Sequence, residues 1–150
     1  MRLLLAATLA IAPLAAFAED SPQEIALEAR KGFYQMLGVN MGTLSGMAKG
    51  EIPYDEAQAV RAATNINALT QYDVPMHFID GTSNADLGAE TEALPVIWTD
   101  RAGFEEKFAG LQKAAEGIPQ AVAGGQDKLA PVVQALGAAC KACHDTYRAK

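Results

Sequence analysis

The residue types best able to do chemistry are scarce in this chain, and they are crowded together. Of 150 residues, two are cysteine and two are histidine. Both cysteines and one histidine fall within five consecutive positions, Cys140-Lys141-Ala142-Cys143-His144. Thiolates are nucleophiles and soft metal ligands, and a neutral imidazole offers a lone pair to a metal. Four chemistries use such a cluster. A disulfide between residues three apart closes a very small loop and adds little stability. A thioredoxin-type Cys-x-x-Cys follows a strand in an α/β pattern, which this sequence lacks. Zinc takes four ligands, and the sequence offers two cysteines and little else. The fourth is covalent c-type haem attachment, for which Cys-x-x-Cys-His is the spacing. On a helix, cysteines three apart share a face and each can reach one vinyl-derived carbon of a single porphyrin. The adjacent histidine can then turn its imidazole toward the iron. The motif therefore points to one haem c held by Cys140 and Cys143 as thioethers, with His144 as the axial ligand and metal contact.

That chemistry needs a scaffold, and the N-terminus says which compartment the chain enters. The first eighteen residues, MRLLLAATLAIAPLAAFA, combine a basic start at Arg2, an apolar run from Leu3 to Phe17 and a small-residue site at Ala16-Phe17-Ala18. This is the pattern of a cleaved secretory signal, too short and wrongly flanked to span a membrane. The expected organisation is a leader over 1–18 and one domain over 19–150, soluble once the leader is removed. The formal net charge of −6 becomes −7 when Arg2 leaves with that leader. An acidic surface argues against nucleic acid and anionic lipid as partners.

Four helical stretches account for most of the mature chain. Ser21, Pro22 and Glu24 form a capping box with proline at the first helical position, so helix one should run from there to about Lys49, before Gly50 and Pro53. Helix two follows Asp55, which with Gln58 makes a second capping pair, and buries Ala59, Ala62, Ile66 and Leu69. Val74 to Pro95 reads as a long loop rich in turn residues, the kind that is either functional or a crossover. Helix three begins near Thr99-Asp100, with Phe104, Phe108, Leu111, Ala115 and Ile118 on one stripe and Pro119 as a kink or stop. Gly124-Gly125 separates it from helix four, which starts near Asp127 and carries Leu129, Val132, Leu136, Cys140, Cys143 and Tyr147 at intervals of three and four. The expected fold is all-α, an antiparallel four-helix bundle with one long crossover loop and the haem attached near the C-terminus.

With these elements in place, the chain resembles the cytochrome c′ family of class II c-type cytochromes over nearly the whole mature length. The resemblance rests on CKACHDTYR at the end, EARKGFY in helix one, AKGEIPYDEAQ at the first turn and VIWTD before helix three. It implies roles for further residues. Arg30 would meet the haem propionates, with Lys31 near the same groups. Tyr34 would guard the iron face opposite His144, where six-coordinate relatives place a methionine. Thr91 and Glu92 would bring the loop to the haem edge, Trp98 would pack near the haem, and Arg148 would lie on the proximal side.

Helical spacing is consistent with several of these roles. Arg30, Tyr34, Leu37, Met41 and Leu44 share one face, whereas Met36 lies roughly 200° around from Tyr34. Arg148 follows His144 by four, where a fixed cation would weaken imidazole donation and raise the redox potential. A neutral tyrosine is a poor ligand for ferrous iron, so Tyr34 is expected to plug an open coordination site. The alternative is six-coordination by Met41 in a small soluble electron carrier; His77, in the loop, is expected to be solvated. The resemblance also implies a periplasmic protein that binds NO and CO, with a possible redox partner protein and a homodimer through helices one and two. Ala59, Ala62 and Ala63 would suit either that contact or the bundle core. No acid–base or nucleophilic constellation marks an enzyme.

Overall fold

The computed structural model describes residues 20–150, so the leader expected over residues 1–18 lies outside the described residues. Four long helices dominate: α1 (Pro22–Lys49), α2 (Glu56–Thr70), α3 (Arg101–Ala115) and α4 (Leu129–Tyr147). Among the described residues there is no β-strand, only an isolated bridge between Ala93 and Arg148.

Local chemistry sets the ends. Ser21 Oγ accepts from the Glu24 backbone N–H while the Glu24 carboxylate accepts from the Ser21 N–H, closing the capping box that starts α1. The helix stops at Gly50, which takes the left-handed conformation at φ 74° and lets its N–H reach the Gly46 and Met47 carbonyls. Asp55 caps α2 through the Gln58 N–H, and Asp100 caps α3 through the Gly103 N–H. The third helix is shorter than its stripe suggests. It ends at Ala115, Gly117 turns left-handed at φ 69°, and Ile118, still buried, belongs to a separate turn, Ile118–Ala121, with Pro119 in its first positions.

The helices close a ring in which α1 packs on α2 and α4, and α3 packs on the same two. Ala59, Ala62 and Ala63 all lie inside that ring, at 0–5% exposure, so helix two uses its small residues for the intramolecular core. The crossover from Val74 to Pro95 is not structureless. It contains a 3₁₀ turn at Val74–His77, a helical turn at Asn84–Leu87 capped by Ser83, and a second 3₁₀ turn at Gly88–Glu90. Its far end lies along the C-terminal tail, where Leu94 N–H donates to the Tyr147 carbonyl and Ala149 N–H to that of Glu92.

Candidate functional site

The crossover, α1, α3 and α4 leave between them a cavity of about 750 Å³, within the size range of cofactor sites. Cys140, Cys143 and His144 reach it from α4. The two cysteines sit on the apolar stripe, yet both are only partly buried because that part of the stripe faces the cavity instead of another helix. Both thiols are unpaired, and burial pushes their pKa values up. The His144 pKa is shifted down, first by burial and then by the nearby Arg148 cation, against the opposing carboxylates of Glu92 and Asp145. The neutral, ligating form of the imidazole is thereby favoured.

From α1 the cavity receives Arg30, Lys31, Tyr34 and Met41. Arg30 is the most informative of these. It is 3% exposed and makes no ion pair among the described residues. Its guanidinium donates to Thr82 Oγ1 at 2.9 Å, to the Thr82 carbonyl at 3.0 Å and to Thr91 Oγ1 at 3.5 Å, and it stacks 4.5 Å above the Phe78 ring. Every one of those partners is neutral, and burial works against its charge. A cation desolvated without an anion is costly, and a carboxylate arriving from the cavity would offset that cost. Lys31 holds Glu28 at 3.0 Å and Glu90 at 3.6 Å at the mouth.

Tyr34 is 37% exposed and lines the cavity, with its ring edge-on to Phe33 at 5.1 Å. Enough protein still surrounds the phenol for burial to raise its pKa well above the usual value, and the opposing pull of Arg30 does not reverse this. It therefore stays neutral. Met36 points away from the cavity, as its spacing predicts, and is 51% exposed.

The loop contributes Thr91 and Glu92. Glu92 accepts from Arg148 Nε at 2.5 Å, so these two lining residues meet across the rim. Nine of the ten residues for which the motif or the resemblance implies a place at the haem thus line one cavity: Arg30, Lys31, Tyr34, Thr91, Glu92, Cys140, Cys143, His144 and Arg148. Trp98 is the exception. It packs behind the wall against Phe78, at 6.2 Å between rings, and its Nε1 is buried without a partner. His77 also lies elsewhere, stacked on Tyr72 with Nε2 2.6 Å from the phenol oxygen, in the groove between α1 and α2.

Several site residues had no signal in the sequence. Phe78 and Thr82, which hold Arg30, come from the crossover, where no periodicity marks an inward side. Lys107 lines the cavity from α3, one residue before the core Phe108. Tyr147 was visible on the α4 stripe, but its hydrogen bond to Asp100 was not.

The arrangement fits a covalently held haem. Two unpaired thiols and a neutral imidazole open from one helix into an apolar cavity, and a buried guanidinium without an anion waits on another wall. A family model described as Cytochrome C′ matches residues 25–148. A curated relative, cytochrome c′ of Cereibacter sphaeroides, is 40% identical over 99% of this chain and 98% of its own length. A solved structure of cytochrome c′ from Rhodobacter Spheriodes superposes with a TM-score of 0.80 at 39% identity, covering 85% of this chain and 98% of that one. A further structure, the nitric oxide complex of a mutant cytochrome c prime from Alcaligenes xylosoxidans, gives a TM-score of 0.73 at 32% identity, covering 88% of this chain and 100% of that one.

Proposed function

This chain belongs to the cytochrome c′ family and is a mono-haem c-type cytochrome, and on that premise we propose that it is a periplasmic gas-binding protein with five-coordinate iron. Bound in the cavity, haem c would supply a redox-active iron able to take a small diatomic ligand such as NO or CO. The protein's part is positional. Cys140 and Cys143 would tether the porphyrin to α4, His144 would ligate the iron, and Arg30 would bind a propionate as the anion it lacks among the described residues. Lys31, Thr91 and Glu92 line the rim.

The observation that carries the reading is Tyr34. On the α1 wall the residue that reaches the cavity one turn beyond Arg30 is a neutral phenol, held protonated by burial. It lacks the soft donor that would complete a six-coordinate iron, and it fills the space an incoming gas must enter. The nitric oxide complex of the Alcaligenes xylosoxidans relative supports NO as a ligand class here.

One observation favours a second reading, that of an electron carrier with six-coordinate iron: Met41 also lines the cavity. It lies seven residues after Tyr34, roughly 10 Å further along the helix axis. Reaching the same point over the porphyrin would require a shift of α1 by nearly two turns. An absorption spectrum of the ferrous protein with and without CO separates the two readings. A broad high-spin spectrum that converts on adding CO is expected. A sharp low-spin spectrum indifferent to CO would establish the carrier.

Export and assembly complete the proposal. The basic, apolar and small-residue segments of residues 1–18 direct the chain to the periplasm, where covalent haem attachment and oxidising conditions coexist. The homodimer contact lies on α1, whose outer face presents Ile25, Gly32, Met36 and Val39 at intervals of seven, four and three. Ile25, Met36 and Val39 are 59%, 51% and 71% exposed, an apolar stripe suited to a self-complementary contact.

A further inference from the structure

The His144 ring has no hydrogen-bond partner among the described residues. Metal-bound histidines usually take their orientation from such a partner. Here the last turn of α4 sets the Cα–Cβ direction from which the imidazole projects. Tyr147 is the buried side chain that anchors that turn, beside the exposed Arg148–Glu92 pair. It follows His144 by three and Cys143 by four, on the same side of the helix. It is 4% exposed, with its ring edge-on to Phe104 at 5.4 Å. Its phenol donates to Asp100 Oδ2 at 2.6 Å, while Asp100 Oδ1 accepts the Gly103 N–H at 3.2 Å and so caps α3. One carboxylate therefore joins the start of α3 to the end of α4.

Gly103 is part of the same device. Its backbone is ordinary helix, not the left-handed region, so conformation does not call for glycine. In a helix interior glycine is less favourable than alanine. What calls for it is space: a Cβ at this position would lie 2.6 Å from Tyr147 Oη and closer still to the Asp100 carboxylate.

We propose that the Tyr147–Asp100 hydrogen bond, admitted by Gly103, is a positioning device that sets the direction from which His144 meets the haem iron. The inference rests on the haem reading above. Tyr147 touches neither gas nor iron; it acts through the helix turn that carries the histidine.

Three variants of the full holoprotein test it. Tyr147→Phe removes only the hydroxyl. Asp100→Ser keeps a good helix cap but is too short to reach the phenol. Gly103→Ala forces the pair apart while adding helix propensity. Haem content is measured first by pyridine haemochrome, followed by the iron–histidine stretch in resonance Raman and the CO dissociation constant of the ferrous form. All three should load haem c. They should show a shifted, broadened iron–histidine band and a CO dissociation constant changed roughly three- to tenfold, the scale of one hydrogen bond. Gly103→Ala should add little on top of Tyr147→Phe. A wild-type band and CO constant in loaded Tyr147→Phe or Asp100→Ser overturn the proposal, as does full additivity of the Gly103 and Tyr147 changes. Wild-type protein without haem c overturns the haem reading along with it.

Discussion

Tyr34 carries the proposed function at the level of a single residue, because its ring lines the cavity and, on that proposal, must move aside for a gas. The phenol is neutral, has no hydrogen-bond partner among the described residues, and is held by packing against Phe33. Little besides van der Waals contact therefore opposes its displacement. Tyr34→Ala should speed CO association with the ferrous protein and tighten binding by roughly tenfold or more, the scale of a large side chain no longer displaced. Stopped-flow mixing with CO measures this directly, and unchanged kinetics would remove Tyr34 from the gate. Arg30 shows how much a single position disclosed. The spacing placed it on the α1 face that meets the cavity, and the family resemblance gave it a propionate. Neither indicated that Thr82 and Phe78 would immobilise it, because both arrive from the crossover, where turn residues obscure any inward pattern.

Among the elements, helices whose ends carry side-chain caps were legible almost to the residue. Ser21 and Glu24 begin α1, Gly50 ends it and Asp55 opens α2, because each capping interaction is local in sequence. The end of α3 was not, since Ile118 continues the apolar rhythm across a break set by a left-handed Gly117. Nor was the pairing of the crossover with the C-terminal tail, a contact between segments more than fifty residues apart. That tail is held by two titratable contacts with opposite pH dependence. The Arg148 guanidinium lowers the pKa of Glu92, so this contribution to stability is present above the ordinary carboxylate range and is lost as pH falls through the lowered value. The hydrogen bond to Asp100 pushes the Tyr147 pKa up to about 12, so its contribution is intact below the ordinary value of about 10 and is lost as pH climbs from there through about 12. Thermal unfolding followed by circular dichroism should therefore show the C-terminal contacts weakening at both extremes. Glu92→Gln should lose part of the acid limb and Tyr147→Phe part of the alkaline limb; profiles superimposable on wild type would separate these pairs from the stability of the tail.

For the whole molecule, the acidic composition excluded partners without naming one, and the sequence left the small residues of helix two undecided between core and interface. Burial of Ala59, Ala62 and Ala63 places them inside the bundle, which leaves the exposed apolar stripe of α1 as the surface on which the proposed dimer is tested. Val39→Glu puts a charge at the C-terminal end of that apolar stripe, on its most exposed member at 71%. It should shift sedimentation from dimer to monomer with haem loading and helix content unchanged. A Val39→Glu protein that still sediments as a dimer would move the contact elsewhere.

The cavity bears on how the chain acquires a finished interior. Left unfilled, a largely apolar cavity of about 750 Å³ keeps its lining in contact with water, a less stable arrangement than a filled one. The polypeptide thus supplies the walls of a room whose central furnishing is a pigment, fastened only after the last eleven residues have emerged. The four rods already close on Leu44, Met47, Ile66, Leu129 and Leu136, so stitching in the dye should raise the melting temperature of an already helical chain as the colour appears.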